Sequence, residues 1–314
     1  MKAVITGGLG HIGSRLIREL PIVFPSMAVV IVDNLATQRY VSLFNLPSTV
    51  KYYFVQGDVT QIDLAPVFAG ADVVIHLAAL TDPGASFDHP EAMEQINYAA
   101  TQRVAEACVE AGVPLIHASS TSVYGTEKDS VDEFCGPEDI SPQSPYAEIK
   151  HKEELFVKDL CHSGSLRGMS FRFGTIFGIS PGMRFHTAVN KFCWQAAMGQ
   201  PLSVWNTAYD QMRPYLDLGD AVRAIQFVIQ HQLFDGGIYN AVSINISVRD
   251  VVDTIGRYIP NLKIELVDSR IMNTLSYRVL NTRLTRHGFL FQGGLDEAVR
   301  TTLQQLRNAN SVCV

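Results

Sequence analysis

A tyrosine and a lysine one helical turn apart, Tyr146 and Lys150, stand in a stretch whose spacing predicts a helix. Both side chains project from one face, so the ammonium comes up to the phenol. At its reference pKa of ~10 a phenol is a poor base near neutrality, but a neighbouring cation and a helix N-terminus both favour phenolate. Ser144 and Pro145 suit the N-cap and the first helical position, which puts Tyr146 at that positive end. Such a base can take the proton of a hydroxyl while a hydride leaves the carbon that bears it. Upstream, Ser119, Ser120, Thr121 and Ser122 close a strand-like run and offer hydroxyls to the same reaction. A Tyr–Lys pair at this spacing arises by chance on many helices, so it counts only in company.

The company is a glycine turn. Gly7, Gly10 and Gly13 follow the first strand-like run directly and open a helical one. Glycine suits a turn that bends tightly, lets backbone approach a pyrophosphate, and seats the helix against the strand; the helix N-terminus then offers free N–H groups to the anion. Glycine turns also occur for purely structural reasons, and context decides. Roughly 20 residues on, the second strand ends at Asp33 and Asn34, a carboxylate where an adenosine ribose would present two hydroxyls. It accepts from both and repels a 2′-phosphate, so NAD is expected over NADP. Asp58, before Val59, could accept from the adenine amino group, or be an ordinary turn aspartate. Leu77, Ala78 and Ala79 are small or apolar enough to let a cofactor lie against the backbone; His76 before them fits a packed core histidine better than a functional one. The expected cofactor-facing set is Gly7, Gly10, His11, Ile12, Gly13, Asp33, Asn34, Asp58, Val59, Leu77, Ala78 and Ala79, with Tyr146 and Lys150.

These motifs need a scaffold that brings strand ends together. Val- and Ile-rich runs alternate with helix-period segments through the first half, as in a parallel sheet covered on both faces. Strands are expected at Lys2–Thr6, Ala28–Asp33, Lys51–Gln56 and over 72–77, 113–118 and 169–173, with helices over 11–20, 61–68, 90–111 and 145–161. That order gives an α/β fold with a doubly wound parallel sheet and right-handed crossovers. After Phe173 the alternation breaks, and residues 174–182 read as an exchange into a smaller C-terminal α/β layer. Helices are expected there near 186–198, 219–230, 248–258 and Leu295–Leu306, with a strand over 238–242 returning to the main sheet. The expected division is 1–175 plus about 214–243 for the dinucleotide, and about 176–213 plus 244–314 for the substrate.

With 314 residues, 47% apolar, the chain can bury one large core or two unequal ones. Its formal charge of −6 and lack of Lys/Arg clusters argue against nucleic acid as a partner. No stretch approaches the roughly 20 apolar residues of a membrane span, no secretory leader is read at the start, and a cytoplasmic location is expected. Five cysteines without paired spacing argue for reduced thiols rather than a disulfide framework. No metal is expected.

Taken together, the glycine turn, Asp33, the Ser120 strand end and the Tyr146/Lys150 pair resemble the extended short-chain dehydrogenase/reductase family, in its NAD-dependent epimerase/dehydratase branch. The resemblance covers nearly the whole chain and is strongest over residues 1–180. It implies a Rossmann domain, NAD, a nucleotide-diphosphate sugar as substrate, and Ser120, Tyr146 and Lys150 as catalytic residues, Lys150 also bonding the nicotinamide ribose. It further implies a homodimer through a four-helix bundle built on the 90–111 and 145–161 helices.

Subclasses of the family differ at the two residues after the catalytic Ser. Dehydratases carry Asp then Glu there, because eliminating water needs an acid and a base. Thr121 and Ser122 fit neither these nor the decarboxylase and fucose-synthase patterns. Oxidation at C4 remains: a nucleotide-sugar 4-epimerase working through a transient 4-keto sugar by hydride transfer, or a 4-dehydrogenase or 4-keto reductase. A non-catalytic dinucleotide sensor is the third alternative. Thr175 stands where the family usually has an Asn on the substrate. Residues 179–185 and 277–281 are similar to a subgroup that includes nucleotide-heptose 4-dehydrogenases. Arg213 and Arg278 are the candidate diphosphate clamps, since a guanidinium fork matches phosphate oxygens. Thr81 and Ser86, in a loop expected over the sugar, complete the substrate set with Thr121, Ser122 and Thr175; Asn97 would brace the site.

Overall fold

A computed structural model describes residues 1–81, 85–87, 90–268 and 275–308. The five Val/Ile-rich runs of the first half form strands β1 (Lys2–Thr6), β2 (Ala28–Asp33), β3 (Lys51–Gln56), β4 (Val73–His76) and β5 (Leu115–Ser120), followed by β6 (Gly168–Phe173) and β7 (Ile238–Ala241). All seven lie parallel in the spatial order β3-β2-β1-β4-β5-β6-β7. The winding reverses between β1 and β4, and in open α/β sheets that reversal opens a crevice at the carboxyl ends of the strands. Thr6 is in register with Val32 on one side and His76 on the other, and Ser120 with Phe173. The motif-bearing ends therefore share one edge of the sheet.

Strand alternation assigns each neighbour to one face. Ile5, Ile31 and Phe171 pack against Leu16, Ile17 and Leu20 of helix His11–Val23 and Val222, Ile225 and Ile229 of helix Leu218–His231. Val4, Val30 and Val74 point the other way, onto Val104 and Cys108 of helix Ala99–Ala111 and Val157 of helix Pro145–His162. A third apolar cluster gathers helices Ala188–Ala197, Val248–Gly256 and Leu295–Leu306 around Phe177 and Tyr215. Beside it, Met212–Asp217 pairs with Thr175–Phe177 and Ile244–Ser247 in a separate three-stranded sheet, so the expected boundary at 214 passes through a strand.

Two expected helices come out differently. Of 61–68 only Ala65–Phe68 is helical, because the Asp58 and Asp63 carboxylates take the backbone N–H groups of Thr60 and Ala65 and hold the chain in turns. The 90–111 stretch is interrupted by a π-helical segment, Met93–Tyr98, from which Asn97 accepts from Leu80 N at 2.7 Å and donates to Leu80 O at 2.9 Å. That bracing was expected of Asn97; the widened helix was not. The four described cysteines are free thiols, Cys108 and Cys193 buried, while Cys313 lies outside the described residues. Among the described residues no helix is long and apolar enough to cross a membrane.

Candidate active site

A cavity of about 630 Å³ runs along the carboxyl edge of the main sheet and on under the C-terminal layer. Its cofactor end is built by the glycine turn. Gly7 has φ +67°, and a Cβ there would sit 2.6 Å from Ala78 N. At Gly13 a Cβ would meet Gly8 Cα at 2.6 Å, so only glycine seats the first helix this close. Leu9 N and Leu35 N donate to the two Asp33 oxygens at 3.1 and 2.9 Å, fixing the carboxylate at the end of β2. Burial alone would raise the Asp58 carboxyl, but donors from Thr60 and Asn34 outweigh it and hold it below its ordinary range. All twelve residues of the expected cofactor-facing set line this cavity, as do Tyr146 and Lys150. Its shape and donor set fit a dinucleotide: glycines that let backbone approach, a carboxylate for ribose hydroxyls, and a helix N-terminus facing the turn. His76 does not line it as a reactive group; burial holds its ring neutral, down to about 3, and Nδ1 bonds Thr6 Oγ1 at 2.7 Å.

His11 does more than line the cavity. Its Nε2 lies 2.8 Å from Gly178 O, Ser180 donates to His11 O at 2.8 Å, and Gly182 N donates to Ser14 Oγ at 2.9 Å. A Cβ at Gly182 would strike Leu9 O at 2.3 Å. The segment after β6 is thus tied to the glycine turn by a residue that the sequence had placed only toward the cofactor. Burial holds His11 neutral, at about 4, against the raising effect of the Gly178 carbonyl.

At the centre, Ser144 Oγ accepts from Ala147 N at 3.2 Å, capping the helix that carries Tyr146 and Lys150. Ser120 is near enough to lower the Tyr146 phenol, and its Oγ receives Ser122 N at 3.2 Å and Ser122 Oγ at 2.9 Å. Lys150 Nζ donates to Ala118 O at 3.0 Å and to Glu153 Oε2 at 2.8 Å. Here an expectation is corrected. Burial is the largest influence on Tyr146 and outweighs Lys150, Ser120 and Arg184, while Glu153 adds to it, so the phenol titrates above its ordinary value. Lys150 stays ammonium: burial opposes the charge, but Glu153 more than restores it.

At the substrate end, Thr81, Thr121, Ser122, Thr175 and Arg213 line the cavity. Thr121 donates to Phe173 O at 3.3 Å; Arg213 donates to Leu275 O at 2.6 Å and to Gln211. Ser86 is buried away from the wall, and residues 82–84 of its loop lie outside the described residues. Arg278 is not on the wall either: in the short strand Arg278–Val279 the alternation turns Tyr277 and Val279 inward and leaves Arg278 exposed. The sequence reading missed Arg184, His186 and Lys191 on the cavity wall, and Arg39 beside the glycine turn and Asp33. Arg184 donates to Thr81 Oγ1 and, with Tyr277, comes from the two segments singled out by subgroup similarity.

The family model for the NAD dependent epimerase/dehydratase family matches residues 3–241. An uncharacterized UDP-glucose epimerase of Bacillus subtilis is 31% identical over 244 residues, 73% of this chain and 72% of the relative. A UDP-glucose 4-epimerase of Mycolicibacterium smegmatis is 34% identical over 161 residues, and there the match spans only half of either chain. Among solved structures, MoeE5 in complex with UDP-glucuronic acid and NAD superposes with a TM-score of 0.84 at 28% identity, covering 98% of this chain and all of the other. The Bacillus cereus UDP-glucuronic acid 4-epimerase, at 21% identity and a TM-score of 0.89 over 98% of this chain and 99% of that one, shares the fold. The chain belongs to the NAD dependent epimerase/dehydratase family and is an NAD-dependent enzyme of the extended short-chain dehydrogenase/reductase type.

Proposed function

We propose that the protein is a nucleotide-sugar 4-epimerase, working through a transient 4-keto sugar. The observation that carries this is the meeting of Ser120, Tyr146 and Lys150 on the wall of one cavity with the glycine turn and Asp33. When bound, NAD supplies the two-electron acceptor for the hydride released from C4. Tyr146 takes the proton of the C4 hydroxyl as the C–H bond breaks; Ser120 orients that hydroxyl, and Lys150 holds positive charge beside the phenol. Once the 4-keto sugar has turned, the hydride is taken back at C4 on the opposite face and Tyr146 returns the proton to the C4 oxygen, which closes the cycle. Thr121 and Ser122 carry no acid for a leaving hydroxyl, which favours this over elimination. Arg213 is the diphosphate clamp in this reading, with Thr81 and Thr175 on the sugar; Arg278 drops out. We assign the dinucleotide to residues 1–175 with about 214–243 and the sugar nucleotide to the remainder. Exposed Leu155, on one of the two segments expected to form a four-helix bundle, supports a homodimer.

A second reading is a 4-dehydrogenase or 4-keto reductase. It is favoured by Arg184 and Tyr277, which bring the two segments similar to nucleotide-heptose 4-dehydrogenases onto the cavity wall. Incubation with a panel of UDP- and GDP-sugars, resolving C4 isomers, tests the first: conversion supports it, and no conversion of any member counts against it. Stoichiometric build-up of reduced nicotinamide selects the second.

A further inference from the structure

The helix that bears Tyr146 presents two fully buried acids in succession, and they are engaged differently. Glu154 is committed to the fold: Arg172 grips it at 2.8 and 2.7 Å, and Ser119 donates to it at 2.5 Å. Glu153 instead backs Lys150, which lines the cavity. Its Oε2 receives Lys150 Nζ at 2.8 Å and lies 2.9 Å from His117 Nε2, and His117 Nδ1 lies 3.0 Å from Ser170 Oγ. His117 is also fully buried. Ser170, His117 and Glu153 thus form one buried hydrogen-bonded chain that ends on the Lys150 ammonium. The other carboxylate oxygen, Oε1, is buried with no hydrogen-bond partner. A buried carboxylate held for architecture has both oxygens satisfied. Here every contact converges on the oxygen that meets the ammonium, so the position offers charge more than packing.

We propose that Glu153, braced by His117, is a positioning residue for Lys150: it holds the ammonium in one place and offsets part of its pull on the Tyr146 phenol. The proposal rests on Tyr146 as the proton acceptor. A phenol made too acidic would be a weaker base, and the offset keeps its proton affinity matched to a sugar hydroxyl. The other groups facing this pair are Ser120 and His117 from β5, His76 from β4, and Arg184 from the segment after Gly178. Glu154 also faces Lys150, but its charge is balanced by Arg172, which leaves Glu153 as the acid whose charge acts on the phenol.

Glu153→Gln isolates the charge. The amide oxygen can take the place of Oε2 and accept from both Lys150 and His117, while the amide nitrogen falls where Oε1 has no partner. In the full-length NAD-loaded protein, the Tyr146 phenol is titrated by ultraviolet difference absorption with Tyr146→Phe as the blank, and kcat and KM are followed against pH. The expected result is a phenol midpoint lower by about one pH unit, an acid limb of kcat displaced the same way, and KM within about twofold. His117→Asn leaves the charge in place and should leave the midpoint where it is. A folded Glu153→Gln protein with midpoint and acid limb unmoved, or moved upward, overturns the proposal. If that variant does not fold, Glu153→Asp, which draws the charge back by one methylene, decides by the same sign. A Tyr146→Phe variant with wild-type turnover sinks the reading of Tyr146 itself; an inactive one beside an unmoved Glu153→Gln sinks only the role of Glu153.

Discussion

Tyr146 meets two opposed demands. It must be buried to lie against a dry cavity wall, and burial raises its pKa; it must also lose its proton to act, which Lys150, Ser120 and Arg184 favour. Burial outweighs them, so the phenol titrates above its ordinary value. Tyr146→Phe should lower kcat by about 10²–10⁴ with NAD binding retained, since it removes the proton acceptor and little else; steady-state kinetics with a fluorescence titration of NAD checks both halves. Arg213 and Arg278, indistinguishable as letters, separate by position. Arg213→Ala should raise KM tenfold or more, from a charge-assisted contact of ~1.5–3 kcal/mol, whereas Arg278→Ala should leave KM and kcat within about twofold. Equal effects in the two variants would contradict the assignment of the clamp.

At the scale of elements, the catalytic helix is fastened to the sheet by Glu154 and Arg172, a bidentate pair at the base of the site with Ser119 on the same oxygen. Removing one partner strands a buried charge, so Arg172→Met should cost about 3–5 kcal/mol in a denaturant melt. This helix was legible from its N-cap Ser144, from Pro145 and from the four-residue step between Tyr146 and Lys150. The strands were legible too, because fully buried parallel strands must be near-continuous apolar runs. What the pattern hides is side-chain competition: Asp58 and Asp63 take backbone donors and shorten one helix, and Asn97 turns onto Leu80 from a widened segment of another. Arg184, His186 and Lys191 were missed for a related reason, since a long polar side chain after a sheet exit reads as surface until the C-terminal layer folds over it. His11 was expected only to face the cofactor, and the partner that gives it a second role, Gly178, is 167 residues away.

Across the whole molecule, that His11 contact joins the cofactor turn to the segment that leads into the C-terminal layer, and it carries a pH dependence. His11 and His76 are kept neutral by burial, at about 4 and about 3 against an ordinary 6.5. The unfolded chain takes up protons below 6.5 that the folded chain refuses, so stability should fall as pH drops from about 6.5 toward 3. Glu153 and Glu154, ionised down to about 2 by Lys150 and Arg172, add a second loss below about 4.5. Urea melts across this range should show both, with His11→Gln flattening the upper part; constant stability from pH 6.5 to 4.5 would contradict the neutral histidines. Saturating NAD should stabilise the fold by about 2.7 kcal/mol at a hundred times its Kd.

The central claim is that a hydride leaves C4 of a sugar nucleotide as Tyr146 takes the hydroxyl proton. A nucleotide-sugar deuterated at C4, followed in single turnover by absorbance and mass spectrometry, tests it directly. The account predicts transient reduced nicotinamide, slowed by the label, with deuterium kept at C4 of the product or on the cofactor, and no signal from Tyr146→Phe. Loss of the deuterium to water, or turnover with no reduced nicotinamide at any time, would contradict it.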